Sequence, residues 1–231
     1  MKKKIKKKVK VKKKIKSKVK KKSKVKKKVK SQSKPKPKSK SKSKSKPKKN
    51  KSELSLKGLN IRQVAAVMCS FLMDMGFDPV LTGKGCASVY GGAEVQSDAL
   101  DFVVSEYVVE EIQSAMKMIG FTCKVHRTFS SKSCPYEVSF FPPPVTVGDD
   151  VVIDIAIMNT TRGELRMLSP TDCVRHRLAA YYRFGNEDAL KDAAAVAKRH
   201  DVDVKIIERW SHWEWASDKF ENFMKLFQEA G

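Results

Sequence analysis

Residues 80–104 read VLTGKGCASVYGGAEVQSDALDFVV and hold the residue types most able to do chemistry. Gly83, Lys84 and Gly85 form a glycine turn that can bring backbone N–H groups and one ammonium to a phosphate. Asp98 and Asp101 stand at the head of an apolar run and could hold a cation. Spacing limits that second role. Two carboxylates on one strand act on one ion only when two residues apart, because alternate side chains share a face. Asp98 and Asp101 are three apart, and the residue two before Asp101 is Ala99. A P-loop is excluded, since Gly76 and Gly83 have the wrong separation and Lys84 is followed by Gly85 where Ser or Thr should bind magnesium.

The elements that must position these residues follow from periodicity. Asn60–Met75 carries apolar residues at helical spacing and stops at Gly76, predicting a helix. Pro79–Thr82 predicts a short strand, Gly83–Tyr90 a turn entering a short helix, and Leu100–Val104 a fully buried strand. Tyr107–Ile119 predicts a second amphipathic helix, stopped by Gly120. Strands are then expected at Phe121–Phe129, Tyr136–Phe141, Val151–Met158 and Glu164–Met167. This order predicts an α/β (α+β) body with a mixed sheet and flanking helices.

From residue 169 the pattern turns helical. Ser169, Pro170, Thr171 and Asp172 provide an N-cap, a first-turn proline and first-turn acid for a helix to about Tyr182. Further helices are expected at Glu187–His200, Val204–Trp213 and Ser217–Ala230, with Trp210, Trp213, Trp215 and His212 clustered to anchor the last ones. Arg175, Arg177 and Arg183 either line a cleft or pair with acids such as Glu187 and Asp188. The expected division is a basic tail over 1–51, an α/β part over 52–168 and a helical part over 169–231. The five cysteines include no C-x-x-C and predict reduced, mostly core thiols. The four histidines are too scattered to mark a metal site.

Several of these motifs together resemble the nucleotidyltransferase fold, in particular the AbiEii-like toxin and minimal nucleotidyltransferase families. Gly83 through Cys86 are similar to their Gly-Gly-x-Ala turn, Tyr90 to a following tyrosine, and Ser97 through Asp101 to Ser-x-Asp-hydrophobic-Asp. PPPVTVG at 142–148 and LSPTDCVRHRLAAYYRF at 168–184 extend the resemblance, which covers nearly all of residues 60–226. It implies transfer of a nucleotidyl group with Mg²⁺ and a nucleoside triphosphate as cofactors. In that reading Asp101 holds metal, Asp98 or Glu137 assists, Gly83, Lys84, Gly85 and Ser97 hold phosphates, and Arg177 meets the triphosphate or acceptor. Four positions depart from the pattern. Ala99 replaces the first aspartate of the strand, Ser139 stands where the third carboxylate is expected, Lys84 takes the place of a glycine, and His176 that of an aspartate. The resemblance therefore implies a catalytically degenerate member that needs no cofactor. The alternatives are an active, toxin-like enzyme working on RNA or another acceptor, and a non-enzymatic assembly or membrane-surface adaptor. An antitoxin or other protein partner belongs to the same resemblance.

Composition divides the chain sharply. Thirty of the first 51 residues are lysine, with no aspartate, glutamate or arginine among them, so the formal net charge of +24 describes neither part. The remaining residues carry 19 basic against 25 acidic side chains. Three lysine runs are the candidate nucleic-acid contacts: Lys12, Lys13 and Lys14, then Lys20, Lys21 and Lys22, then Lys26, Lys27 and Lys28. Such runs put like charges at helical neighbour positions, and the Ser/Lys/Pro alternation after Ser33 has no apolar face, so disorder is expected. Lysines without aromatics neutralise phosphates and read no bases, which predicts sequence-independent, salt-sensitive binding to nucleic acid. Acidic lipid is a competing target. No signal peptide and no membrane span is expected. The expected location is cytoplasmic and nucleoid-associated, or nuclear in a eukaryote, where 20–30 would serve as an import signal.

Overall fold

The computed structural model describes residues 54 and 56–229. The tail lysines expected to contact nucleic acid, Lys12, Lys13, Lys14, Lys20, Lys21, Lys22, Lys26, Lys27 and Lys28, all lie outside the described residues. Helix α1 (Ile61–Asp74) starts at a reciprocal cap. Asn60 Oδ1 accepts from the Gln63 N–H at 3.0 Å, and Gln63 Oε1 accepts from the Asn60 N–H at 3.1 Å. Strand β1 (Pro79–Thr82) passes directly into helix α2 (Gly83–Gly91), so no separate turn intervenes at Gly83. Strand β2 (Ala99–Val104) and helix α3 (Val109–Met118) follow.

The expected strand over 121–129 is two strands, β3 (Thr122–Val125) and β4 (Thr128–Ser131), because His126 takes a positive φ of 49° and turns the chain. After β5 (Cys134–Phe141) come the paired short strands β6 (Thr146–Val147) and β7 (Asp150–Val151), so the expected strand over 151–158 is also divided. β8 (Ile155–Thr160) and β9 (Gly163–Leu168) form a hairpin.

The seven-stranded sheet has the order β3-β4-β5-β2-β1-β9-β8. β2 is parallel to β5 and β1 to β9, while the other neighbours are antiparallel, giving the expected mixed sheet. β2 is not buried on both sides. Leu100, Phe102 and Val104 are fully buried, whereas Ala99, Asp101 and Val103 are half-buried, so one face joins the core and the other borders a cleft. Phe102 stacks on Phe140 and Phe129 meets Phe140 edge-on beneath the helices.

Four helices follow the sheet: α4 (Pro170–Phe184), α5 (Glu187–Arg199), α6 (Val204–Trp213) and α7 (Ser217–Gln228). Ser169, Asn186 and Asp203 cap the first three through their side chains. Tyr90 of α2 donates to Leu168 O at 2.8 Å and packs edge-on against His200, tying the helical segment to the sheet. Of the aromatic cluster expected after α5, only Trp210 is in the core, stacked on Tyr182 and beneath the Arg175 guanidinium. Trp213 and Trp215 are exposed and stand outside it, so they do not anchor the last helices. Cys69, Cys86, Cys134 and Cys173 are buried and Cys123 is exposed, all as free thiols. Among the described residues no helix is long and apolar enough to cross a membrane.

Candidate functional site

The cleft lies on the open face of β2, where Thr82, Gly83, Asp101, Val103, Arg127, Phe141, Thr146 and His176 enclose about 430 Å³. Its floor is fixed by register. Ala99 pairs with Glu137, Asp101 with Ser139, and Val103 with Phe141, so all six side chains point to the same side of the sheet.

Gly83 is required by the way Asp101 sits. Its φ is +65°, and a Cβ there would stand 2.6 Å from Asp101 Oδ2. The carboxylate thus lies against the first residue of α2. Gly85 serves packing instead: its missing Cβ would come within 2.7 Å of Ala99 O, so α2 lies directly on the β2 backbone. Lys84 is half-buried, and its charge acts on Asp192 of α5.

Burial pushes the Asp101 carboxyl above its ordinary range, and the Arg177 guanidinium partly offsets this. Arg177 is itself committed. It forms an ion pair with Asp192 at 3.1 Å, both side chains being about one tenth exposed. Arg177 Nε has no hydrogen-bond partner among the described residues. His176, the neighbour of Arg177, has its Nδ1 buried and without a hydrogen-bond partner among the described residues. Burial and then the Arg177 charge lower its pKa to about 4, so the ring is neutral at pH 7.

The other candidate residues do not join Asp101. Glu137 lies two register pairs away, about 6.6–7 Å along the strand, and its carboxylate is ion-paired with Lys124 of β3. Asp98 is exposed, and its carbonyl accepts from the Glu137 N–H at 2.8 Å. The Ser97 hydroxyl closes a local turn with Ala99, donating to its carbonyl at 2.9 Å, and borders a different hollow beside α1 and α2. Ser139 faces the cleft side but shares a hydrogen bond with Thr128 at 2.9 Å.

The three arginines offered as a basic lining are neutralised one by one. Arg175 pairs with Asp172 at 2.9 Å and with Asp150, and Arg183 with Asp149 and Glu214 at 3.4 Å each. None of them uses Glu187 or Asp188.

Sequence reasoning missed two residues of the site. Arg127 sits at the turn between β3 and β4 with its guanidinium 4.9 Å from the centre of the Phe141 ring, and reading 121–129 as one strand hid that turn. Asp192 did leave a signal. It falls on the apolar stripe Ala189, Asp192, Ala193, Val196, where a charge demands a buried partner.

Chemically, the cleft offers one partly desolvated carboxyl, a neutral imidazole and a guanidinium lying on a ring. A two-cation centre does not fit this donor set, because Ala99 and Ser139 occupy the register positions beside Asp101 from which further carboxylates would be needed. Among the described residues no group of three or more His, Cys, Asp or Glu side chains is arranged to hold a metal ion.

No family model matches the chain. No curated protein sequence matches it. Among solved structures, the crystal structure of an antigenic nucleotidyltransferase-like protein from Paracoccidioides brasiliensis is similar, with a TM-score of 0.49 and 16% identity over 62% of this chain and 76% of that one.

Proposed function

We propose that this chain is a nucleotidyltransferase-fold protein whose cleft has lost its catalytic chemistry and which is held on nucleic acid by its lysine-rich first 51 residues. One observation carries the loss of chemistry: Asp101 is the only carboxylate among the described residues lining the cleft. A metal pair needs several anionic ligands to offset the dehydration of two dications, and one half-buried acid with a raised pKa does not supply them. The commitment of Arg177 to Asp192 supports the same reading, since an arginine already paired inside the protein is a poor clamp for a triphosphate. The tail reading rests on composition, thirty lysines with no acidic residue to offset them.

Two measurements on the full chain test the two halves separately. Incubation with RNA, labelled nucleoside triphosphates and Mg²⁺ or Mn²⁺ is expected to give no transfer, with an Ala99→Asp/Ser139→Asp version alongside as the restored comparison. Transfer by the unaltered chain overturns the degenerate reading. For the tail, glutamine is placed at Lys12, Lys13, Lys14, Lys20, Lys21, Lys22, Lys26, Lys27 and Lys28 together. These changes are expected to flatten the dependence of log affinity on log salt by up to about 0.7 per lost phosphate contact on single strands. An unchanged slope rejects nucleic-acid tethering by these lysines.

A further inference from the structure

The C-terminal end of α6 is built in a way its own fold does not need. The helix closes in a Schellman arrangement, with the Ala216 N–H donating to Ser211 O at 3.0 Å and the Trp215 N–H to His212 O at 3.1 Å. Ala216 is buried, as that motif's hydrophobic contact requires. The residue in the left-handed position, where glycine is the usual choice, is Trp215 at φ +58°. Its side chain is 93% exposed, so no packing offsets the backbone strain, and Trp213 beside it is 63% exposed.

Cations accompany these rings. Lys205, Arg209 and Trp213 follow one another at i, i+4 and i+8 on one exposed face of α6, and the Arg209 guanidinium lies 5.7 Å from the Trp213 ring centre. Lys205 and Arg209 form no ion pair with the described residues, unlike Arg175, Arg177 and Arg183. They line a groove between α6 and α7 of about 670 Å³, which His212 and Lys225 also border and which Glu208 and Glu221 moderate.

Unpaired cations along a groove, one of them in contact with the exposed Trp213 ring just outside it, match single-stranded nucleic acid, whose phosphates follow the charges while unpaired bases stack on the rings. We infer that this end of α6 is a base-stacking site for single-stranded nucleic acid, with Trp213 and Trp215 as the platforms and Lys205 and Arg209 as phosphate contacts. The site deepens the nucleic-acid reading above and rests on it. It supplies what a lysine segment without aromatics lacks, namely discrimination of single strands from duplex, whose bases are already stacked.

The test uses the full chain with a thymidine oligomer of about 20 nucleotides and a duplex of the same length. Intrinsic tryptophan fluorescence should be quenched by the single strand, because two of the three tryptophans are exposed. Trp213→Ala/Trp215→Ala should weaken single-strand binding by at least about fivefold and leave duplex binding unchanged. Trp215→Gly keeps the helix end in the conformation it prefers, so it should lose single-strand affinity while its thermal midpoint rises. A fall in affinity that merely tracks unfolding is thereby separated from loss of a stacking face.

Equal single-strand affinity in parent and variants overturns the stacking site while leaving tail-mediated binding intact. Failure of the parent to bind either probe overturns the nucleic-acid reading itself. If the parent sediments as an oligomer that Trp215→Gly converts to a monomer, and single-strand affinity is unchanged, the surface belongs to a protein contact and the inference is wrong.

Discussion

Replacing Arg177 with methionine asks whether this arginine is kept for a ligand or for the fold. Its guanidinium is the ion-pair partner of Asp192 and also acts on Asp101, and both side chains of the Arg177–Asp192 pair are about nine tenths buried. Removing one member of a buried pair leaves an uncompensated charge, which costs about 3–5 kcal/mol. For a body of this size that corresponds to a fall of roughly 10 °C in Tm. The double change Arg177→Met/Asp192→Leu removes both charges and should recover most of the loss. Urea unfolding of the four proteins, followed by circular dichroism at pH 8 and pH 5, measures the cycle. The deficit of Arg177→Met should be smaller at pH 5. Burial already raises the Asp192 carboxyl above 3.8, and losing Arg177 removes a cause that lowers it. A folded-state pKa above the unfolded value means the native state keeps the proton longer, so stability returns as pH falls towards 3.8 and is lost as pH rises. A single variant within about 1 kcal/mol of the parent, or a double variant no more stable than the single, would show that Arg177 and Asp192 do not stabilise the fold as a buried pair.

His176 should make the parent acid-sensitive: its pKa is lowered to about 4 from 6.5, so the stability it contributes is full above pH 6.5 and is lost as pH falls through about 4. The change is about 2–3 kcal/mol for this half-buried ring, and unfolding curves of His176→Leu should be flatter across that window. Gly83→Ala and Gly85→Ala should both destabilise, Gly85→Ala more. The Gly83 Cβ meets a side-chain carboxylate that can swing away, at about 1–2 kcal/mol for the left-handed backbone, whereas the Gly85 Cβ meets the backbone carbonyl of Ala99. Denaturant midpoints of the two variants give the order, and the reverse order would contradict the assigned packing.

How much of this was legible in the sequence depends on whether the signal was local. Val204–Trp213 and Pro79–Thr82 are bounded by caps, turns and periodicity within a few residues, and they stand as read. The mixed sheet followed from element order. The split of 121–129 was hidden because alternation continues across His126, whose unusual φ leaves no compositional mark. The open face of β2 was hidden for a related reason. LDFVV reads as a buried run, yet Asp101 and Val103 are half-buried. At the site, sequence spacing placed Asp98 and Asp101 on opposite faces and left Ala99 as the residue sharing Asp101's face. It could not show that Glu137 is engaged by Lys124 or that Asp192 claims Arg177, since each contact depends on how two separate elements pack and not on spacing within one. The tryptophans were grouped by residue type, and only Trp210 had the position to enter the core.

The place of β1 at the interior of the sheet also governs when the body can form during synthesis. β1 is flanked by β2, which follows it closely, and by β9, where Leu81 pairs with Met167 at the far end of the sheet-forming segment. Until β9 has left the ribosome, one edge of β1 stays open, and the apolar side of the growing sheet lacks its last strands. The contacts that complete the core are among the most distant in the chain, a topology that slows folding and exposes the partial sheet to aggregation.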